Sequence, residues 1–160
     1  MTTRDRVQPA KRLMQPGLGW SMSSVRILVV EDFEPFRRFI ISALRTFPEL
    51  QVIGSVSDGI EAVHKAEELR PDVILLDIGL PGQNGIVAAR QIRRVAPESK
   101  IIFVSQESST DVVEEALSLG ALGYVAKTSA GSDLFPAIAA AASSKQFVSS
   151  MLLHSNFTSA

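Results

Sequence analysis

Five short apolar runs, separated by segments with helical periodicity, constrain the fold of this chain more than any other feature. Val, Ile and Leu occupy both alternating positions of these runs, which is typical of strands buried on both faces of a parallel sheet. The predicted strands are Val25–Val30, Gln51–Val56, Asp72–Leu76, Lys100–Val104 and Gly123–Ala126. Because strand and helix alternate, we expect right-handed crossovers with helices on both faces. The expected fold class is α/β, with a doubly wound parallel sheet.

Capping residues and prolines mark where the intervening helices begin. The expected markers, in chain order, are Pro35 in a first turn and then the caps Asp58, Asn84, Ser108 or Ser109, and Ser132. If the last helix begins at Ser132, Pro136 falls near its first turn, where a proline costs least.

Composition limits the chain to one ordinary domain. It has 160 residues, a net charge of −1 and no cysteine. The absence of cysteine excludes a disulfide framework, thiol catalysis and thiolate metal sites, and it fits a reducing compartment. No apolar run approaches the roughly 20 residues of a membrane helix. We therefore expect a cytoplasmic protein that binds neither membrane nor, through this chain, nucleic acid.

Residues 25–148 carry the strand and helix pattern and are expected to form the domain. Residues 1–24 show no periodicity, and four basic residues against one acidic residue make the segment positive. We expect a disordered extension here, with a basic tether or a true translation start at Met22 as open alternatives. Residues 149–160 are expected to be a C-terminal tail.

Polar residues follow four of the five predicted strands. Glu31 and Asp32 follow the first, Asp77 the third, Ser105 the fourth and Lys127 the fifth. In an open parallel sheet, ligands bind beyond the carboxyl ends of the strands. Carboxylates, a hydroxyl and an ammonium gathered there can hold a divalent cation and a phosphoryl group. Each residue alone is better explained as a solvated or capping loop residue, but the combination indicates phosphoryl chemistry.

With these residues in place, the sequence resembles the receiver domain of bacterial two-component response regulators. The resemblance covers roughly residues 25–148. It is carried by Val29-Val30-Glu31-Asp32, Leu75-Leu76-Asp77-Ile78-Gly79-Leu80-Pro81-Gly82-Gln83-Asn84-Gly85, Val104-Ser105 and Gly120-Ala121-Leu122-Gly123-Tyr124-Val125-Ala126-Lys127. Two features resemble the LuxR/NarL subfamily, which usually carries a helix-turn-helix output domain. They are the motif Asp77-Ile78-Gly79-Leu80-Pro81-Gly82 and a lysine, Lys127, that is not followed by proline.

The resemblance implies a flavodoxin-like (βα)5 fold with strand order 2-1-3-4-5, and it implies a role for each site residue. These roles are phosphoacceptor for Asp77, Mg²⁺ ligands for Glu31, Asp32, Asp77 and the Gly79 carbonyl, phosphate-pairing lysine for Lys127, switch hydroxyl for Ser105 and switch aromatic for Tyr124. The implied protein is not an enzyme but a phosphoacceptor that assists its own phosphotransfer and dephosphorylation. Its implied partners are a histidine kinase or phosphotransfer protein, a downstream protein, and a second copy in a homodimer.

Two departures from the family pattern leave an alternative open. Gln106 follows Ser105 where a small residue is usual, and no output domain is expected within residues 149–160. A pseudo-receiver, which keeps the fold as an interaction module without using phosphate, is therefore the second hypothesis. A hydrolase or nucleotide-binding enzyme is disfavoured, because no Gly-rich phosphate loop follows the first strand and Gly79 replaces the second acid of an aspartate-based phosphatase.

Overall fold

A computed structural model describes residues 24–152. Residues 1–23 of the predicted extension and residues 153–160 of the predicted tail lie outside this range. The strands are β1 Val25–Val30, β2 Leu50–Val56, β3 Val73–Leu76, β4 Lys100–Ser105, β5 Gly123–Ala126 and β6 Phe147–Val148. The helices are α1 Glu34–Arg45, α2 Gly59–Leu69, α3 Gly85–Val95, α4 Thr110–Ser118, α5 Ala130–Ala142 and the short α6 Ser150–Leu152, with a 3-10 turn at Lys127–Ser129.

All strands pair in parallel, in the order β2-β1-β3-β4-β5-β6. The predicted order of the first five strands is confirmed. The sixth strand was not predicted, and it adds two residues beside β5. Strand limits differ from the prediction by one residue at β2, β3 and β4. In β3 the difference has a local cause, since the Asp72 carboxylate accepts a hydrogen bond from the Arg26 amide at 2.8 Å and so caps the strand.

Apolar residues alternate between the two faces of the sheet and build a core on each face. Helices α2, α3 and α4 cover one face, where Ala66, Ile92 and Val113 are buried against the strands. Helices α1 and α5 cover the other face, where Leu44 and Ile138 are buried. This layering leaves the carboxyl ends of the strands as an open edge. Among the helices between residues 24 and 152, none has the length and apolar character needed to cross a bilayer.

Three of the predicted caps are confirmed. Side-chain oxygens of Asp58, Asn84 and Ser109 each accept a hydrogen bond from the amide three residues later. The choice between Ser108 and Ser109 is thus decided for Ser109. These caps fix the starts of α2, α3 and α4, and the starts of α3 and α4 follow the loops that come directly after β3 and β4.

The predicted start of the last helix was wrong. Helix α5 begins at Ala130, because the 3-10 turn that starts at Lys127 runs directly into it. Ser132 lies in the first turn, where its hydroxyl donates to the Ser129 carbonyl at 3.2 Å. Pro136 is therefore in the helix interior, at an exposed position. A proline there removes one intrahelical hydrogen bond, which is a local cost of the observed fold.

Gly85 allows α3 to approach the end of β3 very closely. A Cβ atom at this position would lie 2.1 Å from the carbonyl oxygen of Asp77, and the Gly85 amide donates to the Ile78 carbonyl at 2.7 Å. Only a residue without a side chain fits such an approach. Gly85 thus helps to set the backbone that carries Asp77.

We expect Gly85→Ala to lower the free energy of unfolding by about 2 kcal/mol, because the new methyl group must push α3 away from the Asp77 backbone. Denaturant unfolding measures this loss. The control is Gly131→Ala in α5, where the nearest atom to the new Cβ is Phe39 Cζ at 3.9 Å. That variant should be unchanged or more stable by about 0.5 kcal/mol. Equal stability of the two variants would contradict the packing assigned to Gly85.

Candidate functional site

The carboxyl ends of β1, β3, β4 and β5 surround a cavity of about 640 Å³. Five predicted site residues line it, namely Asp32, Asp77, Gly79, Ser105 and Lys127. The other two, Glu31 and Tyr124, are buried next to these residues. The structure therefore brings the predicted residues together at one edge of the sheet.

Three carboxylates form the acidic part of the cavity. Glu31, Asp32 and Asp77 each offer one oxygen, and these oxygens lie within 4.8 Å of one another. Glu31 and Asp77 are buried, whereas Asp32 is exposed at the mouth. Carboxylates held this close repel one another unless a cation lies between them. The cluster is thus a place where a divalent cation is electrostatically favoured.

Lys127 supplies the positive charge of the site. Its Nζ lies 3.0 Å from Glu31 Oε1 and 3.0 Å from Asp77 Oδ2. Burial, the largest single influence, acts to lower the pKa of Lys127, but its bonds to the two carboxylates outweigh it and the pKa is raised. The ammonium is therefore charged at all physiological pH values. It also lies 4.9 Å from the ring centroid of Phe36, within cation–π range.

The protein environment disfavours the charged form of Glu31, and the pKa of its carboxyl group is raised. Burial raises its pKa and the charge of Asp77 adds to the rise, whereas bonds from the Phe33 amide and Lys127 oppose it. Its Oε2 accepts hydrogen bonds from the Phe33 amide at 3.0 Å and from Lys127 Nζ at 3.1 Å, whereas its Oε1 makes no hydrogen bond within residues 24–152 and is held by the ion pair with Lys127. Because the folded-state pKa is above the usual value, the charged Glu31 destabilises the fold at neutral pH, and this cost is relieved as the pH falls through that pKa.

Asp77 is fixed by both its backbone and its side chain. Its amide donates to the Val30 carbonyl at 3.1 Å, which continues the β1–β3 pairing past the end of β3. Its Oδ1 accepts a hydrogen bond from the Ile78 amide at 2.7 Å, and its Oδ2 faces Lys127. The carboxylate thus has a set orientation toward the cavity.

Ser105 and Tyr124 are joined through the loop that follows β4. Ser105 Oγ accepts a hydrogen bond from the Glu107 amide at 3.0 Å, and the Tyr124 hydroxyl donates to the Glu107 carbonyl at 2.7 Å. The Tyr124 ring is fully buried. Burial raises the pKa of Tyr124 to about 12, although a hydrogen bond from Ser105 opposes the rise. The phenol is therefore neutral and acts as a hydrogen-bond donor.

Sequence reasoning missed several residues of the cavity wall. Phe33, Phe36, Glu107 and Thr128 line the cavity beside Gln106, the residue that departs from the family pattern. Phe36 lies in the first turn of α1. Its contact with Lys127 joins residues far apart in sequence, and neither periodicity nor motif spacing carries a signal for it.

The comparisons with known proteins agree with this geometry. A family model described as "Response regulator receiver domain" matches residues 27–139. The transcriptional regulatory protein LiaR of Bacillus subtilis is 40% identical over 117 residues, which cover 73% of this chain and 56% of LiaR. The response regulator GacA of Pseudomonas viridiflava is 33% identical over 125 residues, which cover 78% of this chain and 58% of GacA. The chain thus spans little more than half the length of these relatives.

Receiver-like segments also occur in enzymes among the relatives. A protein-glutamate methylesterase/protein-glutamine glutaminase of Thermotoga maritima is 40% identical over 105 residues, but these cover only 30% of that protein. The shared segment is therefore a small part of the methylesterase. The match does not extend the methylesterase activity to this chain.

Solved structures give the same result. A LuxR-family two-component response regulator from Aurantimonas sp. superposes with a TM-score of 0.78 at 29% identity, covering 82% of this chain and 94% of that one. The receiver domain of the response regulator NarL from Mycobacterium tuberculosis superposes with a TM-score of 0.74 at 28% identity, covering 78% of this chain and all of that one. The chain therefore belongs to the family of response regulator receiver domains, in its LuxR/NarL group.

Proposed function

We propose that this chain is a phosphorylation-activated switch of a two-component system, which accepts a phosphoryl group on Asp77 in a Mg²⁺-dependent reaction. One observation carries the proposal: Lys127 Nζ lies 3.0 Å from both Glu31 and Asp77, in a cavity that Ser105 also lines. A buried ammonium next to a fixed carboxylate suits transfer of an anionic group, because it can stabilise the negative charge of the phosphoryl group during transfer and in the product.

The residues present fit Mg²⁺. Oxygen ligands from carboxylates and carbonyls are those that Mg²⁺ takes in proteins, and the Glu31–Asp32–Asp77 cluster supplies three carboxylates. Asp32 and Asp77 are proposed as direct ligands with the Gly79 carbonyl, and Glu31 as the acidic neighbour of Asp32. When bound, Mg²⁺ offsets the repulsion between the Asp77 carboxylate and the incoming phosphoryl group.

The transfer itself is assigned to Asp77. One carboxylate oxygen attacks phosphorus in line, a P–O bond to Asp77 forms, and the bond from phosphorus to the donor atom breaks. The electron pair of that bond leaves with the donor, which is the imidazole of a histidine kinase or the acetate of acetyl phosphate. The bond from the Ile78 amide holds the carboxylate in one orientation, so that little reorganisation is needed.

The response to phosphorylation is assigned to Lys127, Ser105 and Tyr124. Lys127 transfers its contact from the Asp77 carboxylate to a phosphoryl oxygen, and the Ser105 hydroxyl moves to donate to another. Ser105 and Tyr124 both make hydrogen bonds to the Glu107 backbone. A movement of Ser105 therefore shifts the loop before α4 and changes the hydrogen bond of the buried Tyr124 hydroxyl. The α4–β5–α5 face then changes shape for a downstream partner, as expected of a two-state element biased by a local charge event.

The pseudo-receiver alternative has no support from the site. It was based on Gln106 and on the expected absence of an output domain. Gln106 is exposed, and Asp77, Lys127 and Ser105 still line the cavity together with it. The proposed partners remain a histidine kinase or phosphotransfer protein, a downstream protein and a second copy of the chain, and the proposed location remains the cytoplasm.

The proposal is tested by measuring intact mass after incubation with acetyl phosphate and Mg²⁺, with a chelator in a parallel sample. We expect the mass of one phosphoryl group to appear with Mg²⁺ and to be absent with the chelator. Calorimetry of Mg²⁺ alone adds an independent readout. A protein that neither binds Mg²⁺ nor gains mass would be a pseudo-receiver, and one that gains mass equally in the chelator would contradict the metal dependence.

A further inference from the structure

Strand β6 ends too early to satisfy the backbone of β5. Its two residues pair with Gly123 and Tyr124, and the Ser149 amide still donates to the Tyr124 carbonyl at 3.0 Å. The next β5 amide that points to this edge belongs to Ala126, where β6 has already ended. A buried amide without a partner is costly, so this position needs another acceptor.

The side chain of Ser149 supplies that acceptor. Ser149 is fully buried, and its Oγ accepts a hydrogen bond from the Ala126 amide at 3.0 Å. The same hydroxyl donates to Asp133 Oδ2 at 2.6 Å. Because the proton goes to Asp133, a lone pair of Ser149 Oγ is free for the Ala126 amide. Both hydrogen-bonding capacities of the hydroxyl are thus used in one fixed orientation.

This chain of hydrogen bonds holds the backbone on both sides of Lys127. Ala126 comes directly before Lys127, and Asp133 lies in the first turn of α5, just after the Lys127–Ser129 turn. Thr128 and Ser129 hydroxyls are in addition 3.4 Å from the Met151 sulfur. The segment after β6 therefore braces the turn from which Lys127 reaches Asp77 and Glu31.

We propose that Ser149 is a positioning residue for phosphoryl transfer, acting through Lys127. The proposal rests on the proposed function. It concerns a residue beyond the segment 27–139 that the receiver family model matches. Since Lys127 must reach both carboxylates before transfer and a phosphoryl oxygen afterwards, a shift in its backbone misplaces the ammonium in the transition state. A misplaced catalytic group lowers the rate of transfer more than it lowers donor binding.

The test is the rate of phosphoryl uptake from acetyl phosphate, followed by intact mass over a range of donor concentrations. For Ser149→Ala we expect a maximal rate about fivefold lower, because the Ala126 amide loses its acceptor and Lys127 is held less firmly, with the half-saturating concentration unchanged. Ser149→Thr keeps the hydroxyl and should recover most of the rate. Asp133→Asn keeps an acceptor oxygen but removes its charge, and should give a smaller loss in the same direction.

Controls separate positioning from stability and from the proposed function. Ser150→Ala changes the exposed neighbouring serine and should transfer at the wild-type rate. All rates are measured at a temperature where the unfolding curve of each variant shows the folded protein. If Ser149→Ala unfolds at a lower temperature but transfers at the wild-type rate while folded, the positioning role is overturned and the proposed function stands. If the wild type takes up no phosphoryl group, the proposed function fails and this inference fails with it.

Discussion

Asp77→Asn should abolish phosphoryl uptake from acetyl phosphate. The amide has no anionic oxygen to attack phosphorus, and neither of the two neighbouring carboxylates, Glu31 and Asp32, is placed to replace it. Glu31 is 1% exposed and shares its oxygens with the Phe33 amide and Lys127, while Asp32 lies on the exposed side of the cluster. Asp77, by contrast, lines the cavity, and its Oδ2 is paired there with the Lys127 ammonium. The measurement is intact mass after incubation with the donor and Mg²⁺.

The Asp77→Asn variant should nevertheless remain folded. The one acceptor oxygen of Asn can keep the hydrogen bond from the Ile78 amide, and Lys127 then keeps Glu31 as its partner. The substitution also removes the negative charge that helps to raise the pKa of Glu31, so one source of repulsion inside the site is lost. An unfolding midpoint near that of the wild type would show that lost uptake is a chemical effect.

The matched control is Asp72→Asn, the same change at the opposite end of β3. Asp72 accepts a hydrogen bond from the Arg26 amide and lies away from the cavity. This variant should take up one phosphoryl group as the wild type does. Uptake by Asp77→Asn at the rate of this control would contradict the assignment of Asp77.

Lys127→Met should lower the free energy of unfolding by about 3 kcal/mol at neutral pH without Mg²⁺. The side chain of Lys127 is only 14% exposed and pairs with two carboxylates. Removing one partner of a buried ion pair leaves an uncompensated charge, which is why such substitutions are strongly destabilising. Met keeps a similar length and volume, so most of the loss comes from electrostatics rather than packing.

The pH dependence of the Lys127→Met effect follows from Glu31. Its pKa is already raised in the wild type, and loss of the ammonium raises it further. The cost of charged Glu31 is present above this folded-state pKa and disappears as the pH falls through it. The stability difference between variant and wild type should therefore be largest at neutral pH and should shrink on acidification. Denaturant unfolding across this pH range measures it.

The effect of Mg²⁺ on stability should distinguish a specific loss of the Lys127 ammonium from general destabilisation of the fold. Without the competing ammonium, the carboxylates remain available to the cation, and binding to the folded state alone stabilises it. Mg²⁺ should thus restore more stability to Lys127→Met than to the wild type, while the rate of phosphoryl uptake stays low. Lys145→Met changes an exposed lysine and should show neither effect. Phosphoryl uptake by Lys127→Met at the wild-type rate would contradict the role given to Lys127.

Local signals explain which features the sequence predicted. The caps at Asp58 and Asn84 depend on a bond to an amide three residues away, so a short motif reveals them. That Asp77 and Lys127 lie close together was predictable because each follows an apolar run, and the ends of parallel strands meet at one edge. A strand order among five alternating units was then implied by the family resemblance.

The features that escaped prediction depend on contacts between distant parts of the chain. Strand β6 has two residues, too few for any periodicity, and it exists because β5 offers it an unpaired edge. The role of Ser149 follows from that pairing, since its hydroxyl meets Ala126 only once β6 is in place. The start of α5 was misplaced because the 3-10 turn before it has no side-chain cap to mark it.

Reductive trapping of the phosphorylated protein identifies the residue that carries the phosphoryl group. Borohydride reduces an aspartyl phosphate to homoserine, so peptide mass mapping after incubation with acetyl phosphate and Mg²⁺ locates the modified residue. We expect homoserine at position 77, dependent on Mg²⁺, with Glu31 and Asp32 unmodified. Reduction at another carboxylate, or none at position 77 in protein that has gained the mass of a phosphoryl group, would contradict it.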